Sequence, residues 1–413
     1  MQQIYSHRFP NGLTLVAEPM PWLESAAFAM LVPAGCMYEP ENRGGLGNLT
    51  CEMLQRGSGS RNSRQFVDDL ENLGADTSAS VSLAHMSFGG AVPAVNLDAV
   101  LSIYADVMQR PHFAADQLDD ARQVCIQDVR AIEDELSQKA MLELRKRHYG
   151  DPLGRSNHGT IPSLEASELP DVRAYFAQLF HPADAILAVA GKIEWARLLE
   201  QVEKLFAGWS EAKTPAIREQ PGVRGYEHVA HDAGETHIGI AYDCVPYRHS
   251  DYFQVRSAIG VLSDGMSSRL FTEVREKRGL VYTVYASCHS LLDRGSVFAY
   301  AGTTTDKAQE TLDVMLAELQ RLRLGVDEDE LARLKAHLKT SLIMQQESSR
   351  ARAGSLAGDW YHLGRVRPLA ELQGLLDAVT CKTINHYLQR EPPARYSVVS
   401  LGAKPLAVPG EVL

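Results

Sequence analysis

The sequence predicts an α+β protein built from two homologous domains, each a mostly antiparallel sheet with helices packed on it. Three observations carry that expectation. Strand-like and helix-like stretches alternate in mixed order along the 413 residues, the pattern of helices laid on a sheet. An internal repeat is visible in the letters themselves. Ser63, Arg64, Phe66, Glu71, Gly74 and Ser82 align without gaps to Ser268, Arg269, Phe271, Glu276, Gly279 and Ser287, a shift of 205. Pro182, Ala183 and Gly191 match Pro393, Ala394 and Gly402, a shift of 211. Between the copies, residues 210–222 are polar, hold Pro215 and Pro221, and have no apolar period, which marks a linker. The domains are therefore expected at 1–212 and 222–413.

The elements follow in chain order. Residues 4–8 and 13–18 flank Pro10, Asn11 and Gly12, a hairpin signal. Residues 26–32 are a short apolar run closed by Pro33 and Gly35, expected as a buried strand. A helix is expected over 46–54. Another spans 63–73, with Phe66, Leu70 and Leu73 on one stripe and Gly74 as its stop. Strands are expected at 78–83 and 86–92, an amphipathic helix at 97–108, and one long helix at 115–144. A helix at 171–180, a strand at 185–190 and a helix at 195–206 complete the first copy. In the second copy the helix pair 97–108 and 115–128 recurs as 308–319 and 327–342.

Composition excludes several classes of function. Hydrophobic content of 45% and charged content of 23% are ordinary for a globular chain. A net charge of −11 argues against non-specific binding to nucleic acid or an anionic membrane, which needs basic surface. No apolar run approaches the ~20 residues that span a bilayer. The six cysteines are scattered without a C-x-x-C pair, which suits reduced thiols. The first residues, Met1 to Arg8, lack the basic-then-apolar order of a secretion signal. A cytoplasmic location is expected, or a periplasmic one if a signal has been removed.

The most informative stretch runs from Gly45 to Met53 and reads GLGNLTCEM. Asn48 and Glu52 are four apart and share a helix face, with Cys51 close by. It resembles the helix of the pitrilysin/insulinase family of zinc metallopeptidases, which includes the mitochondrial processing peptidase. There the segment carries the inverted zinc motif H-x-x-E-H. Carried over by position, the first zinc histidine is Asn48, the second is Glu52, and the water-activating glutamate is Cys51. The third ligand, a glutamate in a later helix, corresponds to Asp128. All four positions are changed. A neutral amide in place of imidazole and a thiol in place of the general base do not make a catalytic zinc site. The resemblance thus implies the family's fold, with paired halves closing like a clamshell, and no metal held by this chain. The segment 148–160 is similar to the family's P-L-G…G-T loop, and its His148 and His158 are expected to be structural or exposed.

The second motif is SSRLFTEVREKRGLVY, from Ser267 to Tyr282, a helix stopped by Gly279 with a strand after it. In the family this segment lies across the cleft from zinc, and its arginine and tyrosine, matching Arg275 and Tyr282, are associated with holding the substrate carbonyl. A phenol can donate to a developing oxyanion and a guanidinium adds charged donors. The competing reading is a solvated helix face followed by a core-packed tyrosine. The family's substrate edge strand matches Ser78, Ala79, Ser80 and Val81, where an extended peptide would add as a strand; an ordinary sheet edge is the alternative. Some bacterial relatives are similar to a split enzyme, one chain keeping H-x-x-E-H and its sibling keeping Arg and Tyr. The expectation is a non-catalytic subunit that binds peptide and lends Arg275 and Tyr282 to a similar-sized partner bearing zinc. A self-dimer, a stand-alone peptide-binding or assembly protein, and an active peptidase using Glu52, Asp128 and another ligand are the alternatives.

Overall fold

A computed structural model describes residues 2–413. The strands are β1 (Tyr5–Arg8), β2 (Thr14–Pro19), β3 (Ser25–Val32), a small hairpin β4 (Gly57–Ser58) and β5 (Arg61–Asn62), β6 (Asp76–Val81), β7 (Met86–Pro93) and β8 (Ile186–Gly191). They continue as β9 (Gly225–Ala230), β10 (Glu235–Cys244), β11 (Val281–Ser290), β12 (Gly295–Thr304) and β13 (Ser397–Gly402). The helices are α1 (Leu46–Leu54), α2 (Ser63–Asn72), α3 (Leu97–Gln109), α4 (Leu118–Asp134), α5 (Leu136–Tyr149), α6 (Ile161–Glu165) and α7 (Leu169–Leu179). Then come α8 (Trp195–Phe206), α9 (Tyr252–Ser263), α10 (Ala308–Arg321), α11 (Glu328–Gln345), α12 (Ser349–Leu363), α13 (Leu369–Ala378) and α14 (Cys381–Arg390).

The chain forms two compact units. The first comprises Met1–Ala131, Arg155–Glu219 and Ile343–Pro368. Its six-stranded sheet has the order β1-β2-β8-β3-β7-β6, so β6 is an edge. Pairing is antiparallel except for β2 beside β8. Strand β8 reads ILAVAG and is buried at every residue, the composition of a strand covered on both faces. One face packs on the main core, which includes Leu15, Phe28, Leu49, Val100 and Leu187. The other is covered by α12, whose Ala353, Leu356 and Ala357 meet Val16, Met20, Ala27, Ile186, Ala188 and Ala190. A buried ion pair fixes that helix: Arg352 donates to Glu18 Oε2 from Nε at 3.0 Å and from Nη2 at 2.5 Å.

The second unit comprises Ile132–Gly154, Gln220–Leu342 and Leu369–Leu413. Its five-stranded sheet has the order β11-β12-β10-β13-β9, antiparallel except for β13 beside β9. Buried throughout, β13 is covered by α5, which packs on β10 and β13. Gly239 makes room for it, since a Cβ there would fall 3.0 Å from Leu144 Cδ2. His148 of α5 is buried and sits between Ser397 Oγ at 3.1 Å and Ser296 Oγ at 2.9 Å, a structural role as expected.

The mixed α+β class and the two homologous sheets stand as the sequence predicts. The boundaries at 1–212 and 222–413 differ from the compact units in one respect: each half keeps its own sheet but gives a helix to the other unit. The expected long helix at 115–144 is two helices broken at Glu135, whose ψ of 89° is not helical. Apolar periodicity runs across the break, yet Cys125, Ile126 and Val129 face one core while Ala140 and Leu144 face another. Among the described residues no helix is long and apolar enough to cross a membrane.

Candidate functional site

Helix α1 begins on a carboxylate. Glu39, 4% exposed, accepts from the Gly45 N–H at 2.9 Å and from the Gly47 N–H at 2.7 Å, where the helix presents unpaired donors. Burial pushes its carboxyl up to about 8, against the pull of those two N–H groups and of Arg155. Space and backbone conformation require glycine at 45, and the surroundings of Gly47 are tight. A Cβ on Gly45, whose φ is +89°, would lie 2.6 Å from His158 O, and one on Gly47 3.0 Å from Glu39 Oε1.

Asn48, Cys51, Glu52 and Asp128 lie within one neighbourhood, and His158 joins them. Asn48 Nδ2 is 3.2 Å from His158 Nδ1. Glu52 faces Arg56 at 3.9 Å; burial holds its carboxyl above the ordinary value, with Arg56 opposing and Asp128 of α4 adding to the rise. Burial lowers the His158 imidazole, partly offset by the same Asp128. Cys51 is buried, and burial, then Glu52, then Cys125 push its thiol far up. A thiol so held is a poor base or nucleophile. His158, expected to be structural or exposed, is structural, and its place beside Asn48 is what sequence reasoning missed. Nothing in spacing joins position 158 to position 48; the loop reaches α1 because Gly159, with φ +69°, docks on Gly44, where a Cβ would lie 2.0 Å from the Gly44 carbonyl oxygen.

Among the described residues no three His, Cys, Asp or Glu side chains are placed to hold a metal ion. Asn48 is engaged by His158 and Glu52 by Arg56, and the set lacks the imidazole pair. It does not match the three-ligand arrangement of a catalytic zinc.

In the second unit, the helix of the RGLVY segment is π-helical from Phe271 to Glu276, with the Lys277 N–H donating to Thr272 O at 2.9 Å. Such turns recur at functional sites. Gly279, at φ +58°, ends it. Lys277 and Arg278 both pair with Glu273, whereas the exposed Arg275 guanidinium lies over the Phe271 ring, 5.0 Å from its centroid. Tyr282 follows at the start of the edge strand β11. The register steps from Val281↔Thr303 to Thr283↔Gly302, so Tyr282 is the extra residue of a β-bulge, a device that re-aims a side chain. Its ring is 88% exposed. The core-packed alternative for this tyrosine is thereby overturned.

Ser78, Ala79, Ser80 and Val81 lie in β6, the edge of the first sheet. Ser78 and Ser80 are exposed and Val81 is buried.

Comparison with known proteins follows these features. A family model described as "Insulinase (Peptidase family M16)" matches residues 15–160, and one described as "Peptidase M16 inactive domain" matches 168–338. An uncharacterized zinc protease of Rickettsia felis is 23% identical over 379 residues, covering 91% of this chain and 92% of its own. One from Bacillus subtilis is 26% identical over 381 residues, with 91% and 92% covered. Among solved structures, a peptidase M16 inactive domain from Pseudomonas fluorescens superposes with a TM-score of 0.87 at 22% identity, covering 98% of this chain and 99% of that one. A protease from Helicobacter pylori gives 0.88 at 20% identity, with 98% and 100% covered. On these matches and the motifs above, the chain belongs to the pitrilysin/insulinase, or M16, family of peptidases.

Proposed function

We propose that this chain is a peptide-binding M16 subunit without peptidase chemistry of its own, and that it lends Arg275 and Tyr282 to the active site of a similar-sized, zinc-bearing partner. The observation that carries the reading is Tyr282, a large aromatic held 88% exposed on a bulge. Exposing such a ring forgoes its burial, worth about 1.5–3 kcal/mol for a large apolar side chain, which a purely structural residue would recover by packing. The donor set at Asn48, Cys51, Glu52 and Asp128 supports the other half of the reading.

In this scheme an extended peptide adds to the edge of β6 through main-chain hydrogen bonds. Zinc held by the partner would supply the activated water. The Tyr282 hydroxyl donates to the carbonyl oxygen as it gains charge, and the Arg275 guanidinium stabilises that charge without reorganising. The test is a tagged pull-down from native extract, assayed for peptide cleavage with and without a zinc chelator. The expected result is co-recovery of a protein bearing H-x-x-E-H, with chelator-sensitive cleavage that falls about 10²-fold in Tyr282→Phe. A chain recovered alone and inert would remove the partner. It would leave a second reading, a stand-alone peptide-binding protein, which draws on the position of β6 at the sheet edge; Arg275→Ala would then weaken peptide binding with no turnover to affect. Chelator-sensitive cleavage by the isolated chain would refute both.

A further inference from the structure

The edge of β6 is not open along its whole length. In an antiparallel ladder, hydrogen-bonded and non-hydrogen-bonded pairs alternate. The Ser82 N–H donates to His85 O at 2.7 Å, so Ser80 and Ser78 turn their main-chain groups toward β7, while Val81, Ala79 and Thr77 turn theirs outward. The outward Val81 carbonyl is already engaged, accepting from Asn157 Nδ2 at 2.9 Å. That is the hydrogen bond an incoming strand's N–H would make.

Asn157 belongs to a strap, residues 155–158, that is pinned on both sides of this contact. Arg155 Nη1 donates to Glu39 O at 2.5 Å, His158 meets Asn48, and Gly159 is seated on Gly44. Val81 is also the end of β6 nearest α1, since a Cβ on Gly47 would lie 3.2 Å from Val81 Cγ1. At the opposite end, Arg350 pairs with the Asp76 carboxylate at 2.7 Å and also donates to its carbonyl.

We infer that Asn157 is a stop residue for strand addition: it occupies Val81, confines a bound extended peptide to the outward groups of Thr77 and Ala79, and keeps that peptide short of α1. The ligand class is an extended peptide segment recognised through its main chain. The inference rests on the peptide-binding reading above and deepens it. A peptide halted before α1 cannot lie over Asn48, Cys51 and Glu52.

The experiment uses the full chain with fluorescein-labelled, reduced and carboxymethylated α-lactalbumin, a permanently unfolded polypeptide, as probe. Binding is followed by anisotropy, and the footprint by hydrogen exchange with residue resolution. The wild type should protect Thr77 and Ala79 and leave the Val81 amide unchanged. Asn157→Ala should extend protection to Val81 and tighten binding about two- to tenfold, the worth of one added hydrogen bond. Asn157→Ser, too short to reach Val81, should behave alike and serves if the alanine variant misfolds. Wild-type protection that already includes Val81, or the same footprint and affinity in wild type and variants, overturns the stop. Absence of probe binding in all three proteins overturns the peptide-binding reading itself, and the stop with it.

Discussion

Removing Arg352 tests how α12 is held in the first unit. Its guanidinium and the Glu18 carboxylate are 3% and 2% exposed, and two of its N–H groups converge on Glu18 Oε2. In Arg352→Met the aliphatic volume remains, but among the described residues the buried carboxylate keeps only the Gln2 amide, 3.0 Å from Oε1. Breaking such a pair from one side costs about 3–5 kcal/mol, equal to an increase of roughly 10²-fold to several thousandfold in local opening. Two units need not unfold in one step, so the assay is native-state hydrogen exchange of Ser349–Leu363 rather than a global melt. The double variant Glu18→Gln/Arg352→Met removes both charges. It should return protection to within about tenfold of wild type, because the stranded charge and not the lost contact is the main cost. If single and double variants open equally, the helix is held by Ala353, Leu356 and Ala357 alone and the electrostatic argument fails.

Other outcomes follow from α1 and its surroundings. Because burial raises the folded-state Glu39 carboxyl to about 8 from 4.5, the folded chain binds more proton than the unfolded one between those values. Its contribution is therefore present below pH 4.5 and lost as pH rises through 8; the melting temperature should fall over that window, and Glu39→Gln should flatten the slope. Gly159→Ala should destabilise the first unit by several-fold more than Gly364→Ala, measured by urea midpoints. Both have positive φ, +69° and +66°, but a Cβ at Gly364 meets nothing within 4 Å; equal effects would mean the Gly44 contact relaxes freely. The Cys51 thiol, pushed up by burial, should resist iodoacetamide in the native chain and react on unfolding. Rapid native labelling would show that α1 opens or that the thiol is activated.

What the sequence made legible was local and periodic. The repeat at a shift of 205 pairs β6 with β11, and each lies at one edge of its sheet. The apolar run at 185–190 announced β8 as a strand, while the cover on both of its faces is visible only in the fold. The helix exchange was not legible, because Glu135 carries no proline or glycine and the apolar period continues through it. At the site, helical spacing placed Asn48, Cys51 and Glu52, and family likeness reached Asp128. His158 and Asn157 escaped, since their positions depend on one glycine seating against another 115 residues earlier in the chain. The bulge at Tyr282 was equally silent: its letters fit a straight strand, and only the register with β12 reveals the extra residue.

The exchanged helices also govern the order of events as the chain leaves the ribosome. The first unit's sheet is complete once β8 has emerged, yet the apolar face formed by Val16, Ala27, Ile186 and Ala188 stays bare until α12 arrives. At typical rates of synthesis that delay is roughly ten seconds or more, during which α5 waits for β10 and β13 in turn. Each half relies on the other for one covering helix. A fragment ending near residue 212 would keep every strand of its sheet and still expose one whole side of it, so such truncations should partition to aggregates or chaperones. Adding α12 back as a separate peptide should rescue them.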